Sequence, residues 1–103
     1  MTDRELLELA AKAAGIDYHI DHLDGIPKMV SDGHVWNPLV WDGQALRLAV
    51  KLGLCFGPNF DGDKAVCFGG DGRNITEPMG ADAFAATRRA ITRAAASIGR
   101  WEG

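Results

Sequence analysis

The sequence predicts one α+β domain over residues 1–103, a three-stranded antiparallel meander packed with about three helices. The order is helix, weak hairpin, helix, three strands, helix. Three observations carry this. Apolar residues recur at helical spacing near both ends and once in the middle, they alternate with a period of two between those stretches, and five Asp-Gly pairs sit where tight turns belong. A chain of 103 residues, 47% of them hydrophobic, buries one core without a metal or disulfide staple.

The first helix is expected over residues 3–14. Thr2 and Glu5 form a capping box, Asp3 and Glu5 sit at the positive end of the helix dipole, and Gly15 closes the helix with Ile16 folding back. Its buried stripe reads as Leu6, Leu9, Ala10 and Ala13. From Ile16 the pattern alternates through Tyr18 and Ile20, a strand with one exposed face. Asp24-Gly25 is then a hairpin turn, and the return over residues 26–30 contains Pro27, which cannot donate to a ladder and so places that strand at an edge. Asp32-Gly33 makes a second such turn.

Asn37 before Pro38 reads as a cap and first-position proline for a short helical turn, after which the middle helix runs over residues 43–52. Asp42 is placed to cap it, Leu46, Ala49, Val50 and Gly53 form one apolar face, and Gly53 stops it. Trp41 falls on the elbow between the two.

Strands are expected at 53–60, 64–69 and 73–77. A three-residue turn at Asp61-Gly62-Asp63 pairs Phe56 with Phe68, so that both rings share one face and Cys55 and Cys67 share the other. Pro78 and Gly80 end the last strand. The longest helix is expected over 81–98, with Gly99 as its stop, a core stripe of Phe84, Thr87, Ile91, Ala94, Ala95 and Ile98, and Arg89, Arg93 and Arg100 nearly opposite.

The segments Trp36-Asn37-Pro38-Leu39, Asp42-Gly43 and Ala45 to Gly53, together with Ala85 to Ile91 and Ile98-Gly99-Arg100, resemble the phage ABA sandwich domain, a family of small bacteriophage and prophage proteins. The likeness covers most of the chain. It implies an α/β/α-sandwich-like arrangement and a phage or prophage source, and it carries neither an assigned activity nor site residues. Where the family pattern is polar and acidic, this chain has Val40, Trp41 and Gln44.

Candidate chemistry is sparse. His19, Asp21, His22 and Asp24 could ligate a divalent ion, but on a strand His19 and His22 point to opposite faces, so a solvated strand is the expectation and no metal or other cofactor is assigned. Gly69 to Asn74 approaches a calcium-binding nonapeptide without the tandem copies that share each ion, and reads as turn chemistry. Ser31 and Ser97 are the only serines and neither stands in a nucleophile context, while two cysteines in a cytosolic chain read as reduced small hydrophobes. No catalytic residue is assigned, and the expectation is that the protein is not an enzyme.

Charge narrows the partners. Net charge is −3, dividing into −5 over residues 1–72 and +2 over residues 73–103. This balance disfavours non-specific phosphate binding. The αβββα order is nevertheless that of double-stranded-RNA-binding domains, so a basic face of Arg89, Arg93 and Arg100 on the last helix is the alternative function. No apolar run reaches the roughly 20 residues of a membrane span, and no signal sequence opens the chain, so the expected location is the bacterial cytoplasm. The expected function is protein-protein interaction with a host or phage protein through Trp41 and Trp101, since exposed tryptophan buries much area at low entropic cost, with a symmetric homodimer as the other partner. Trp36 is expected in the core.

Overall fold

The computed structural model describes residues 1–22, 25–69 and 74–101, the Trp101 side chain excepted. Three helices and two three-stranded antiparallel sheets follow in the order α1 (Asp3–Ala14), β1 (His19–Asp21), β2 (Lys28–Ser31), β3 (His34–Val35), α2 (Asp42–Leu52), β4 (Cys55–Pro58), β5 (Lys64–Phe68), β6 (Asn74–Pro78) and α3 (Ala83–Trp101). The α+β class is the one read from the sequence. Among the described residues no helix is long and apolar enough to cross a membrane.

Half of the expected capping box is formed: Thr2 Oγ1 accepts from the Glu5 N–H at 3.2 Å, while the Glu5 carboxylate accepts from the Thr2 hydroxyl, also at 3.2 Å, in place of a backbone N–H. At the other end of α1, and again after α2, a left-handed glycine lets the following residue bond back into the last turn: Ile16 N–H to the Ala11 carbonyl at 2.9 Å, Leu54 N–H to the Ala49 carbonyl at 2.8 Å. The buried faces are turned from those expected. Leu7, Ala11 and Ala14 join Leu6 and Ala10 on α1 in place of Leu9 and Ala13, and α2 buries Ala45, Leu48 and Ala49 while Leu46 and Val50 face out.

The weak hairpin is a sheet of its own. Pro27 does keep the chain out of the ladder until Lys28, yet β2 is the central strand and not an edge, because β3 returns on its far side through the Asp32-Gly33 turn. Both turn residues are left-handed, with φ of 53° and 77°, as the tight hairpin turn requires. The expected Asp24-Gly25 turn lies partly outside the described residues, as do Gly70 to Arg73 in the glycine-rich segment.

The second sheet has the expected order and a different register. Phe56 pairs with Cys67, and Cys55 with Phe68, so the two rings lie on opposite faces, and so do the two sulfurs. The cause is Asn59. Its N–H donates to the Lys64 carbonyl at 2.9 Å, and its Oδ1 accepts from the N–H groups of Asp63 and Lys64 at 3.1 and 3.2 Å, which closes a four-residue loop in place of three. One extra loop residue reverses every side chain of the return strand. Ala65, Cys67, Ile75 and Glu77 therefore face the helices, while Cys55, Val66, Phe68 and Thr76 lie on the other face.

Gly99 does not end α3, which continues to Trp101. It is a contact residue. A β-carbon there would collide with the Leu9 carbonyl, 2.8 Å from the carbonyl carbon, so glycine lets α1 and α3 approach backbone to backbone. Asp3 bonds Arg89 at 3.0 Å near the other end of the pair, so the two helices run side by side in the same direction. Helix α3 starts at Ala83 and not at 81, because the Asp82 carboxylate accepts from the Ala85 N–H at 3.0 Å and caps it. From α3 the layers run outward to the second sheet on one side and α1 on the other.

Candidate functional site

Trp41 stands at the end of a single turn that Asn37 starts. The Asn37 carbonyl accepts from Val40 and Trp41 at 3.1 and 3.0 Å, and its Oδ1 accepts from the Leu39 N–H at 3.1 Å, while Pro38 is fully buried. Helix α2 follows at once. Asp42 does not cap it, because its carboxylate is drawn to Arg88 of α3 at 2.7 Å. The same guanidinium donates from Nε to the Leu39 carbonyl at 2.8 Å. Arg88 thus bonds the chain on both sides of Val40-Trp41. Gln44 holds the other flank, donating to the Val35 carbonyl at 2.8 Å and accepting from the Asn37 N–H. The elbow is fixed, and the Trp41 side chain on it is 56% exposed.

Around Trp41 lies a groove of about 450 Å³, lined by the exposed side chains of Ile26, Val35 and Val40, floored by Met29 and Trp36, and rimmed by Arg4 and Lys28. Trp36 is 7% exposed and belongs to the core, as expected. Trp101 is the last residue of α3, and its side chain lies outside the described residues.

A second apolar groove, of about 300 Å³, was not foreseen. It runs between the start of α2, the first half of α3 and β4, with Leu46, Phe56 and Phe84 exposed along it and Ala45 and Ile91 beneath. Phe84, expected in the core stripe, is 71% exposed because α3 begins beyond the edge of the helix packing. The signal was present in α2. Six apolar residues between Ala45 and Leu52 are too many for one buried stripe, so the excess had to cover a second face.

The arginine stripe is largely engaged within the molecule. Arg93 Nη1 contacts Glu77 Oε1 at 2.7 Å and the Thr76 carbonyl at 3.2 Å, and Arg89 reaches Asp3 at 3.0 Å and Glu77 at 3.7 Å. Arg100 is exposed beside Glu5, Glu8 and Lys12.

His19 lies in β1, His22 just beyond it and His34 two strands away in β3. Among the described residues no three His, Cys, Asp or Glu side chains are placed to hold a metal ion. Cys67 is fully buried, and that burial, with Cys55 next, pushes its thiol from 9.0 up to about 11, which leaves it protonated at neutral pH. Cys55 is exposed on the opposite face.

The chain matches no protein-family model, no curated protein and no solved structure.

Proposed function

We propose that this chain is a small phage or prophage accessory protein that works by binding a host or phage protein in the bacterial cytoplasm, with Trp41 as the anchor of the contact. One observation carries the reading: a tryptophan 56% exposed among exposed aliphatic side chains, on an elbow that Arg88 and Gln44 hold in place. A large apolar side chain left in water is a cost that a partner removes, and a fixed anchor loses little entropy on binding. The resemblance in the Trp36 to Gly53 segment supports the phage setting. No residue is given a catalytic role.

Affinity purification from an infected or lysogenic host, run in parallel with Trp41→Ala, tests this. Loss of the captured protein with the variant is expected. Equal capture by both proteins would remove Trp41 from the surface.

Self-association has its own support. Phe84 projects beside the hollow formed by Phe56 and Ile91, and a knob next to a hole on one face is what a two-fold interface requires. Sedimentation of the wild type and Phe84→Ser distinguishes the dimer from the hetero-complex. The nucleic-acid alternative draws less support, since Asp3 and Glu77 already neutralise Arg89 and Arg93.

A further inference from the structure

On the other side of Trp36 from Trp41, between α2, the β2–β3 turn and the end of α1, lies a cleft of about 430 Å³. Its floor is apolar, made by Ala14, Ile16, Trp36 and Leu48. Two of its polar walls are already committed: Gln44 to the Val35 and Asn37 backbone, and Ser31 Oγ to the Asp17 carbonyl at 2.7 Å. The charged groups at its mouth are Arg47, Lys51, His34 and Asp32.

Arg47 and Lys51 are four residues apart on one face of α2, where like charges repel. Helix α2 has one acidic residue, Asp42, and Arg88 holds it. Lys51 gains from the negative end of its own helix, but Arg47, a turn earlier, does not. The end of α1 does not explain the pair either, because the Ala11 and Lys12 carbonyls accept from Ile16 and Gly15. By contrast Arg4, Arg88, Arg89 and Arg93 each contact a carboxylate within 3.0 Å. In a chain of net charge −3, two cations that contact no carboxylate among the described residues, and that outnumber the single Asp32 at the mouth, form a binding arrangement over an apolar floor.

We infer that this cleft binds a small organic anion, a carboxylate or phosphate on an apolar body, with the anion held by Arg47 and Lys51 and the body laid on Trp36 and Leu48. A guanidinium fork matches both headgroups, and the lysine adds a point charge. The cleft shares Trp36, and no other lining residue, with the Trp41 groove, and the anion site stands or falls without that groove.

Full-length protein labelled with ¹⁵N is titrated with phenyl phosphate, benzoate, inorganic phosphate and neutral benzyl alcohol, with the Trp36 indole and Gln44 side-chain amide signals as the readout. At least one aromatic anion is expected to give saturable shifts at both signals, and comparison of the two identifies the headgroup. The R47Q/K51Q variant, whose changed side chains are exposed and whose fold is checked by its spectrum, is expected to bind at least ten-fold more weakly. Absence of saturation with both aromatic anions would overturn the site. So would undiminished affinity in the variant, or equal affinity for benzyl alcohol or for inorganic phosphate.

Discussion

Replacing Gly99 with alanine sets two opposed effects against each other within one turn of α3. Alanine is favoured over glycine in a helix interior by about 0.8–1.0 kcal/mol, and Gly99, near the helix end, gains less than that. Against this, the new β-carbon would lie 2.8 Å from the Leu9 carbonyl carbon and nearer still to its oxygen. Carbon atoms prefer separations of about 3.5–4.0 Å, so α1 must retreat by roughly 1 Å. The obstacle is backbone and cannot rotate away. Overpacking of this kind costs about 1–3 kcal/mol, which leaves a net destabilisation near 1.5 kcal/mol. For a domain of this size that lowers Tm by roughly 6–12 °C. Thermal unfolding followed by far-UV circular dichroism measures it. Gly43→Ala is the control, since no atom stands within 4 Å of its β-carbon position and its φ is not positive, and it is expected to leave Tm unchanged or raise it slightly. If Gly99→Ala is as stable as the wild type, the close approach of α1 and α3 is refuted.

Further outcomes follow from burial and charge. Trp36→Ala should cost about 3–5 kcal/mol in urea unfolding, while Trp41→Ala should stay within about 0.5 kcal/mol, because only the first is in the core. Cys55 should react with a thiol reagent in the folded protein and Cys67 only after unfolding, and no intramolecular disulfide should appear by mass spectrometry after mild oxidation, since the two sulfurs lie on opposite faces. With its folded pKa raised from 9.0 to about 11, Cys67 holds its proton where the unfolded chain has lost it; this group therefore adds no pH dependence below about pH 9 and lowers stability by roughly 2 kcal/mol between pH 9 and 11, a slope that a Cys67→Ala variant should lose. Glu77→Gln should cost about 0.5–1 kcal/mol, less in high salt, because Arg89 and Arg93 both reach solvent; an unchanged urea midpoint would show the ion pairs to be idle.

Features written within a few adjacent residues were legible in the sequence. The Thr2 cap, the Gly15 and Gly53 stops, the Asp32-Gly33 turn and the Asn37-Pro38 turn all act on neighbouring backbone, and each is found where local chemistry places it. What depends on a distant partner was not. The face that α2 buries is decided by α3, the destination of the Asp42 carboxylate by Arg88, and the purpose of Gly99 by a carbonyl in α1. The strand register failed for a smaller reason: Asn59 recruits one more residue into its loop than the Asp-Gly signal suggests, and parity does the rest. As for the proposed interaction surface, Trp41 was visible as an unusual residue at an elbow. The Phe84 groove was hidden because a phenylalanine on an apolar stripe reads as core until the helix end is known to overhang.

The junction of α1 and α3 is made largely of small residues, with Ala95 and Ala96 buried on the Gly99 side of α3 and Ala10, Ala11 and Ala14 buried on α1. Such side chains have no rotamers to freeze, so folding this seam carries almost none of the side-chain entropy cost that a leucine-filled interface incurs. The other side of that economy is an uneven tolerance to change. Truncation can remove at most a methyl group from any alanine of the seam and nothing from Gly99, whereas any enlargement meets a neighbouring helix with no flexible side chain to give way. Sequence drift along these positions is therefore confined to the smallest residues, and the stability of the domain is best raised elsewhere.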